Sequence, residues 1–448
     1  MSLWSDWEGS AMNASEYKKY HESYMENNHG ASPLYTFFCI FFTVKCTIYC
    51  AIKKNYSVSS YVIEYLLIVL TMISLHFYLN KYMLILNLIT SMLLVYELLQ
   101  QDLQFVKTLK QPNQFPTKHI QSITCIRGLT YLITVFAILA VDFKAFPRKM
   151  AKTERYGYSF MDTGVGLFVI ISGLVHKDLK TEKLKNIIKS NTKFISVLVT
   201  LGVARFWTVK ALEYQEHVTE YGVHWNFFFT LAVCKLTSTI ILYFTDKALL
   251  CSLVTILTHE FLLYNGLQSW VFSNAPRTDL ISANREGIAS CLGYTTLYLF
   301  AVYVKQVLDN KTTPRYVVLV KFVSIITIFW VLLYILAISR PVSRVLANTS
   351  YCLYVSATIL TILTLFYFFE VLFQQKDKKI YFIVPMIISA VNQNGLLYFL
   401  VANLLTGIIN LSIRTLFVPK MESFLIVNCY MIITIALTVL LKKLGVKI

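Results

Sequence analysis

Runs of eighteen or more apolar residues recur along almost the whole of this 448-residue chain. Each is long enough to cross the hydrocarbon core of a bilayer as a helix. The chain is 56% hydrophobic and only 15% charged, where a soluble protein of this size carries about 25% charged residues. The expected fold class is therefore all-α: a polytopic integral membrane protein with about thirteen transmembrane helices in one bundle. The apolar segments fall at 33–51, 61–80, 83–100, 122–141, 159–175, 192–212, 225–244, 247–265, 288–306, 316–338, 348–373, 384–411 and 422–441. The twelfth contains Asn392, Gln393, Asn394 and Asn403, and reads either as one long polar-lined helix or as a broken one beside a cavity. Residues 1–32 form a polar, net acidic N-terminal segment without the pattern of a cleavable signal peptide. Residues 33–448 then make a single multi-span domain.

The net charge of +17 does not point to nucleic acid, because Lys and Arg cluster in short loops between apolar segments. Lys53 and Lys54, then Lys107, Lys110 and Lys118, then the run 177–193 with Lys180 and Lys183, all follow odd-numbered segments. So do Lys376, Lys378, Lys379 and the tail Lys442, Lys443 and Lys447. These loops are expected to be cytosolic, with the N-terminus lumenal and the C-terminus cytosolic. Five polar loops then share the lumenal side: 142–158, 213–224, 266–287, 339–347 and 412–421. Loop 213–224 is acidic, with Glu213, Glu216 and Glu220. The nine cysteines lie in or beside apolar segments with no metal-ligand spacing, so neither disulfide nor metal is indicated.

The stretch from Asp142 to Arg155 is the outlier. Seven of its fourteen residues are charged, on a side where the orientation rule disfavours positive charge. Ionisable groups at a membrane surface read as functional when they are desolvated and as an ordinary loop when they are not. Pro147 interrupts any helix between Asp142 and Lys152, so the segment can fold back and pair them. Such a pair serves either as a general base with its cation or as a structural salt bridge. Lys144, Arg148, Lys149 and Arg155 make a cationic rim suited to phosphate. Elsewhere, His224 is a candidate base or an interfacial anchor beside Trp225. Asn226 is placed to orient a hydroxyl, while Asn284 and Arg285 read as a phosphate grip or as a helix cap. Asn392, Asn394, Asn403 and Asn410 are amides along one segment that need partners. His259-Glu260 lacks the second His of a zinc protease motif.

Several stretches in register resemble one family. They are Asp142–Gly157, Met161-Asp-Thr-Gly-Val-Gly166 with Ser172-Gly-Leu-Val175, residues 214–228, Asn284-Arg-Glu-Gly287, and Asn392-Gln-Asn-Gly395 with Ala402-Asn-Leu-Leu-Thr-Gly407. Together they look like the GPI inositol acyltransferases (the PIG-W family). The resemblance implies a thirteen-span enzyme of the endoplasmic reticulum membrane. It would transfer a palmitoyl group from palmitoyl-CoA, a co-substrate and not a bound cofactor, to the inositol 2-hydroxyl of glucosaminyl-phosphatidylinositol. Its partners are thus that lipid, long-chain acyl-CoA and the surrounding membrane lipid. The resemblance also assigns catalysis to Asp142 and Lys152. It leaves a geometric puzzle, since acyl-CoA is made on the cytosolic side and Asp142 is expected on the other. Two further classes fit embedded polarity: a transporter or flippase without chemistry, and a membrane-bound O-acyltransferase working through His224.

Overall fold

Every apolar run of the sequence is helical in the computed structural model, which describes residues 13–53, 60–100, 105–115, 120–177, 184–211, 220–373 and 382–446. An amphipathic α1 (Ala14–Met25) precedes the bundle. There follow α2 (Pro33–Ile52), α3 (Ser60–Phe77), α4 (Asn80–Leu99), α5 (Gln121–Ala140), α6 (Asp162–Gly173), α7 (Leu184–Ala211) and α8 (Phe227–Phe244). The second half comprises α9 (Ala248–Val271), α10 (Arg285–Asp309), α11 (Arg315–Ser339), α12 (Thr349–Leu372), α13 (Met386–Gln393), α14 (Gly395–Ser412) and α15 (Lys420–Lys443). Among the described residues, eleven helices are long and apolar enough to cross a membrane. The chain is an all-α polytopic membrane protein. Lys54, Lys118, Lys180, Lys183, Glu213, Glu216, Lys376, Lys378, Lys379 and Lys447 lie outside the described residues.

Helix starts follow local signals. Ser32 caps α2 with Pro33 in its first turn, Asn226 caps α8, and Asn348 caps α12, each oxygen satisfying an orphan N–H. Pro314, Pro385 and Pro419 stand directly before α11, α13 and α15. α10 and α12 are buried through most of their length and form the centre with α5, whereas α4 and α11 turn apolar side chains outward. α10 packs on α6, α8 and α9, α12 on α5 and α11, and α5 on α13 and α14.

The twelfth apolar segment is broken. Asn394 leaves the helical region at φ −122°, ψ 40° between α13 and α14. Its amide donates to the Val446 carbonyl (3.1 Å), as does that of Gln393 (3.3 Å). Lys443 lies over Tyr61 at the start of α3, and Lys420 over Tyr78 just past its end. The C-terminal end of α15 and the break at Asn394 therefore belong to one side of the bundle, and the loop after Asp142 to the other.

Three carboxylates that stand out in the sequence as embedded charges prove to be helix caps supplied by a neighbouring helix. Glu64 accepts from the backbone N–H of Met386 and Ile387 (both 2.8 Å) at the start of α13. Glu370 accepts from the N–H of Gln121 and Ser122 (both 2.8 Å), and from the Ser122 hydroxyl, at the start of α5. Glu260 accepts from the N–H (3.2 Å) and hydroxyl (2.8 Å) of Thr349 at the start of α12. A helix N-terminus carries unsatisfied donors and partial positive charge, so each carboxylate is compensated by a helix start, and Glu260 also by Arg340 at 3.6 Å. Glu370→Ala strips the first turn of α5 of its acceptors, and a buried orphan costs about 1–3 kcal/mol. The expected outcome is a clearly lower unfolding temperature in detergent, largely restored in Glu370→Gln; an unchanged melt would refute the capping role.

Candidate active site

The loop between α5 and α6 is where polar groups concentrate. Past the end of α5 the chain turns tightly, with Asp142 N–H on Leu139 O and Phe143 N–H on Ala140 O (both 3.2 Å). A single 3₁₀ turn, Arg148–Met150, follows Pro147. Five loops expected on one side do meet there. Gly157 N–H donates to Val342 O (2.9 Å), Val223 N–H to Ala283 O (2.9 Å), and Arg155 lies over Phe272. Asn410, near the end of α14, closes the group through Asp142.

Asp142 is 7% exposed. Its Oδ2 accepts from Asn410 Nδ2 (2.7 Å), and His21 Nε2 lies 3.8 Å from Oδ1. Burial pushes its carboxyl up to about 7, against the pull of the Asn410 amide and the Lys152 charge. A desolvated carboxyl holds its proton more tightly unless donors or cations compensate it. Here the compensation is slight, and the group titrates near neutrality.

The direct Asp142–Lys152 pair expected from the sequence is not formed. Lys152 Nζ instead donates to both oxygens of Glu220 (2.8 and 2.7 Å). Glu220 comes from the acidic loop before α8, which the turn beyond Pro147 brings within reach. Lys152 still acts on Asp142 through its charge.

The next residue fixes Lys152 in place. Thr153 donates through its N–H (3.1 Å) and hydroxyl (2.6 Å) to Asp162 Oδ2 in the first turn of α6. Arg344 Nε donates to Asp162 Oδ1 (2.8 Å), and both side chains of that pair are 3% exposed. The buried Asp162 carboxylate holds the Arg344 guanidinium well above its ordinary range despite its desolvation.

The N-terminal segment completes the face. Asn28 Nδ2 donates to the carbonyls of Arg148 (3.1 Å), Ala151 (2.9 Å) and Lys152 (3.0 Å). Ala31 N–H donates to Tyr158 O (2.7 Å). Gly157 allows this approach at φ +135°, where a Cβ would sit 2.2 Å from His29 O. Tyr17 accepts from Leu416 N–H (3.2 Å) and packs on Phe417, so α1 brings His21 against Asp142.

The other candidates divide sharply. Lys144 and Arg155 are exposed and remain available to an anion. Arg148 is engaged by Glu26 O and the Tyr24 ring, and Lys149 by the Tyr35 ring. Asn284 accepts from the N–H of His224 (2.8 Å) and Trp225 (2.9 Å), and Asn226 caps α8 while donating to Gly202 O (2.9 Å). Arg285, 4% exposed, donates to Ala275 O (3.1 Å) and Ser273 O (2.5 Å). Those three hold loops together. Arg285 also borders a cleft of about 370 Å³ with Arg155, Arg277 and Glu286, whose lining does not include Asp142. His224 is exposed, with its ring 5.4 Å from that of Phe206. Asn403 bonds back to Phe399 O (2.7 Å) in its own helix. Asn392 and Asn394 lie near the far end, about 24 Å from Asn410 along the helix rise. Of the amide face, only Asn410 reaches Asp142. Sequence reading missed His21, Asn28 and Arg344; Glu220 stood in a quoted motif but without its role. No group of metal-ligating side chains occurs among the described residues.

Fold and site together define a multi-pass membrane protein whose polar centre is a desolvated carboxyl with a fixed ammonium beside it, at one end of the bundle. Comparison with known proteins narrows that class. A family model described as GWT1 matches residues 17–441, and the chain belongs to that family. Among its relatives, GPI-anchored wall transfer protein 1 of Schizosaccharomyces pombe is 36% identical over 73% of either chain. The proteins of the same name from Yarrowia lipolytica and Kluyveromyces lactis are 37% identical over 70% of either chain, and 38% identical over 69% of this chain and 70% of theirs. The matched range begins within α1, so the family model takes in most of the N-terminal helix.

Removing one partner from a buried ion pair leaves the other charge uncompensated, at about 3–5 kcal/mol. Arg344→Ala is therefore expected to destabilise the protein severely, and Arg344→Lys to recover part of the loss. Thermal unfolding in detergent measures both; equal melting of Arg344→Ala and wild type would show that Asp162 does not need its partner.

Proposed function

We propose that this chain acts in GPI-anchor biosynthesis as an acyltransferase of the endoplasmic reticulum membrane. It would move a palmitoyl group from palmitoyl-CoA to the inositol 2-hydroxyl of glucosaminyl-phosphatidylinositol. The observation that carries the reading is Asp142: a buried carboxyl titrating near 7, one oxygen held by Asn410 and the other open toward His21. Family membership, and the wall-transfer names of its relatives, support the pathway. The chemistry of the site supports the step.

In that step the Asp142 carboxylate takes the hydroxyl proton as the inositol oxygen attacks the thioester carbonyl. The tetrahedral oxyanion collapses, the C–S bond breaks, and the departing CoA thiolate takes the proton back from Asp142. The products are the inositol ester and free CoA. A positioned base contributes roughly 10²–10⁴-fold. Lys152, held by Glu220, supplies a fixed positive charge near the developing oxyanion, where preorganised charge is most effective. Exposed Lys144 and Arg155 are available to the lipid phosphodiester. No covalent acyl-enzyme is required, because the thioester already carries a good leaving group.

Purified wild type is expected to form acylated lipid from labelled palmitoyl-CoA, and Asp142→Asn and Lys152→Ala to lose it while still melting like wild type. Acyl transfer surviving Asp142→Asn would remove the base from this mechanism.

A base works only when ionised, so activity should rise with pH through a limb centred near 7. The Asn410 amide favours the ionised form. Asn410→Ala withdraws that donor, raises the Asp142 pKa further, and moves the limb to higher pH. A pH–rate profile of the two proteins gives the answer; a limb that stays in place would assign it to another group.

A further inference from the structure

Helix α6 is too short for the membrane it enters. Its 12 residues rise about 18 Å, against a hydrocarbon core of about 30 Å. The chain therefore leaves α6 while still at membrane depth, on the side away from Asp142. Backbone outside a helix is tolerated there only where protein or an aqueous cavity surrounds it. Gly173 makes the exit possible, since a Cβ there would meet Tyr298 O and the Ala301 Cβ at 2.6 Å. That close approach sets His176 against α10.

Three polar side chains meet at this point. His176 Nδ1 lies 2.9 Å from the Tyr298 hydroxyl and 3.3 Å from Lys235 Nζ, and Lys235 Nζ lies 2.9 Å from the same hydroxyl. Tyr298 is about 20 Å into α10 counted from Arg285, so the cluster sits in the middle of the bundle. Both neighbours of Nδ1 are donors, which makes Nδ1 the acceptor and leaves the imidazole proton on Nε2. His176 is 5% exposed, and its Nε2 has no hydrogen-bond partner among the described residues. A buried N–H without an acceptor is costly.

Among the described residues, the charges that bear on the cluster have one sign. Lys177 bears on Lys235, and Lys235 and Lys305 bear on His176. The nearby Asp309 is engaged by Lys305 at the outer end of α10. Among the described residues, Lys235 hydrogen-bonds two neutral partners, in contrast to the capping carboxylates, each of which meets a helix terminus. Lys235 is half-buried and Lys177 exposed, so the cluster is reachable from the side opposite Asp142.

We infer that His176, Lys235 and Tyr298 form a phosphate-binding site, and that its ligand is the nucleotide end of the acyl-CoA. An ammonium, an imidazole N–H and a phenol are all donors suited to phosphate oxygens. The inference rests on the acyltransferase reading above. It accounts for how a donor made on one side of the membrane is used by a base near the other. The nucleotide stays at the exit of α6, and the long pantetheine arm carries the thioester along α6 toward Asp142.

The test compares two donors, palmitoyl-CoA and palmitoyl-pantetheine, which lacks every phosphate, in wild type, Lys235→Met and Tyr298→Phe. Wild type is expected to favour palmitoyl-CoA in apparent KM, and Lys235→Met to lose roughly ten-fold of that preference, the worth of about one charged contact. Tyr298→Phe keeps the packing, so a partial loss of preference in a variant that melts like wild type supports the same site. Equal effects on both donors, or none, would overturn the site and leave the acyltransferase reading standing. No transfer from either donor by wild type would fail the acyltransferase reading, and this inference with it. In a parallel arm, labelled CoA is bound in the presence of phosphatidylserine vesicles. Displacement by the vesicles that depends on Lys235 would assign the cluster to lipid headgroups and overturn the nucleotide site.

Discussion

The Asp162 carboxylate is the anchor on which the polar face depends. It sits in the first turn of α6 and gathers the Thr153 N–H and hydroxyl on one side and the Arg344 guanidinium on the other. Through Thr153 it fixes Lys152; through Arg344 it ties the loop before α12 to the loop before α6. Tyr351 adds a hydrogen bond from α12 to the Asp162 carbonyl (2.7 Å). A charge pair this deep gains little net stability, because desolvation offsets much of the attraction. What it gives is geometry: there is one arrangement in which neither charge is left unpaired.

Set beside it, Asp142 shows how one residue type serves two purposes in one chain. Glu64, Glu260 and Glu370 each accept from at least two donors at a helix start, backbone N–H groups among them. Asp162 has a guanidinium. Asp142 has one amide at hydrogen-bond distance, an imidazole at 3.8 Å and an ammonium already taken by Glu220. The compensated carboxylates hold helices in place. The undercompensated one keeps an affinity for protons that suits chemistry near neutral pH.

What the sequence reveals follows from the range of the forces involved. Apolar runs are local, and every expected segment falls on a helix, the twelfth on two, with boundaries shifted by up to about eight residues. The break at Asn394 was one of two readings of a polar stretch, and only its packing against Val446 decides between them. The loops that charge assigns to one side are joined, in their described parts, by contacts such as Gly157 with Val342 and Val223 with Ala283. Asp142 and Lys152 were visible because charge is conspicuous in an apolar chain, yet their separation was not, because the partner of Lys152 lies far away in sequence at Glu220. Arg344 gives no local signal, because its partner Asp162 stands 182 positions away in the chain. Asn28 looked like one polar residue among many, since an amide that collects three carbonyls has no local signature. Asn284, Arg285 and Asn226 drew attention for their polarity, and they spend it on backbone.

The docking of α1 has a consequence for how the protein is made. The helix α1 is synthesised before the groups it meets, Asp142 just after α5 and Leu416 just before α15. Chains are synthesised and fold from the N-terminus onward, so this helix waits for almost the whole bundle before it finds its seat. Asn410, which holds the Asp142 carboxylate, arrives equally late. A chain stalled before α14 and α15 therefore has its acidic residue still wet and ordinary. The desolvation that lifts the Asp142 carboxyl is complete only once α14 and α15 are in place, and a helix made early is among the last to close over it.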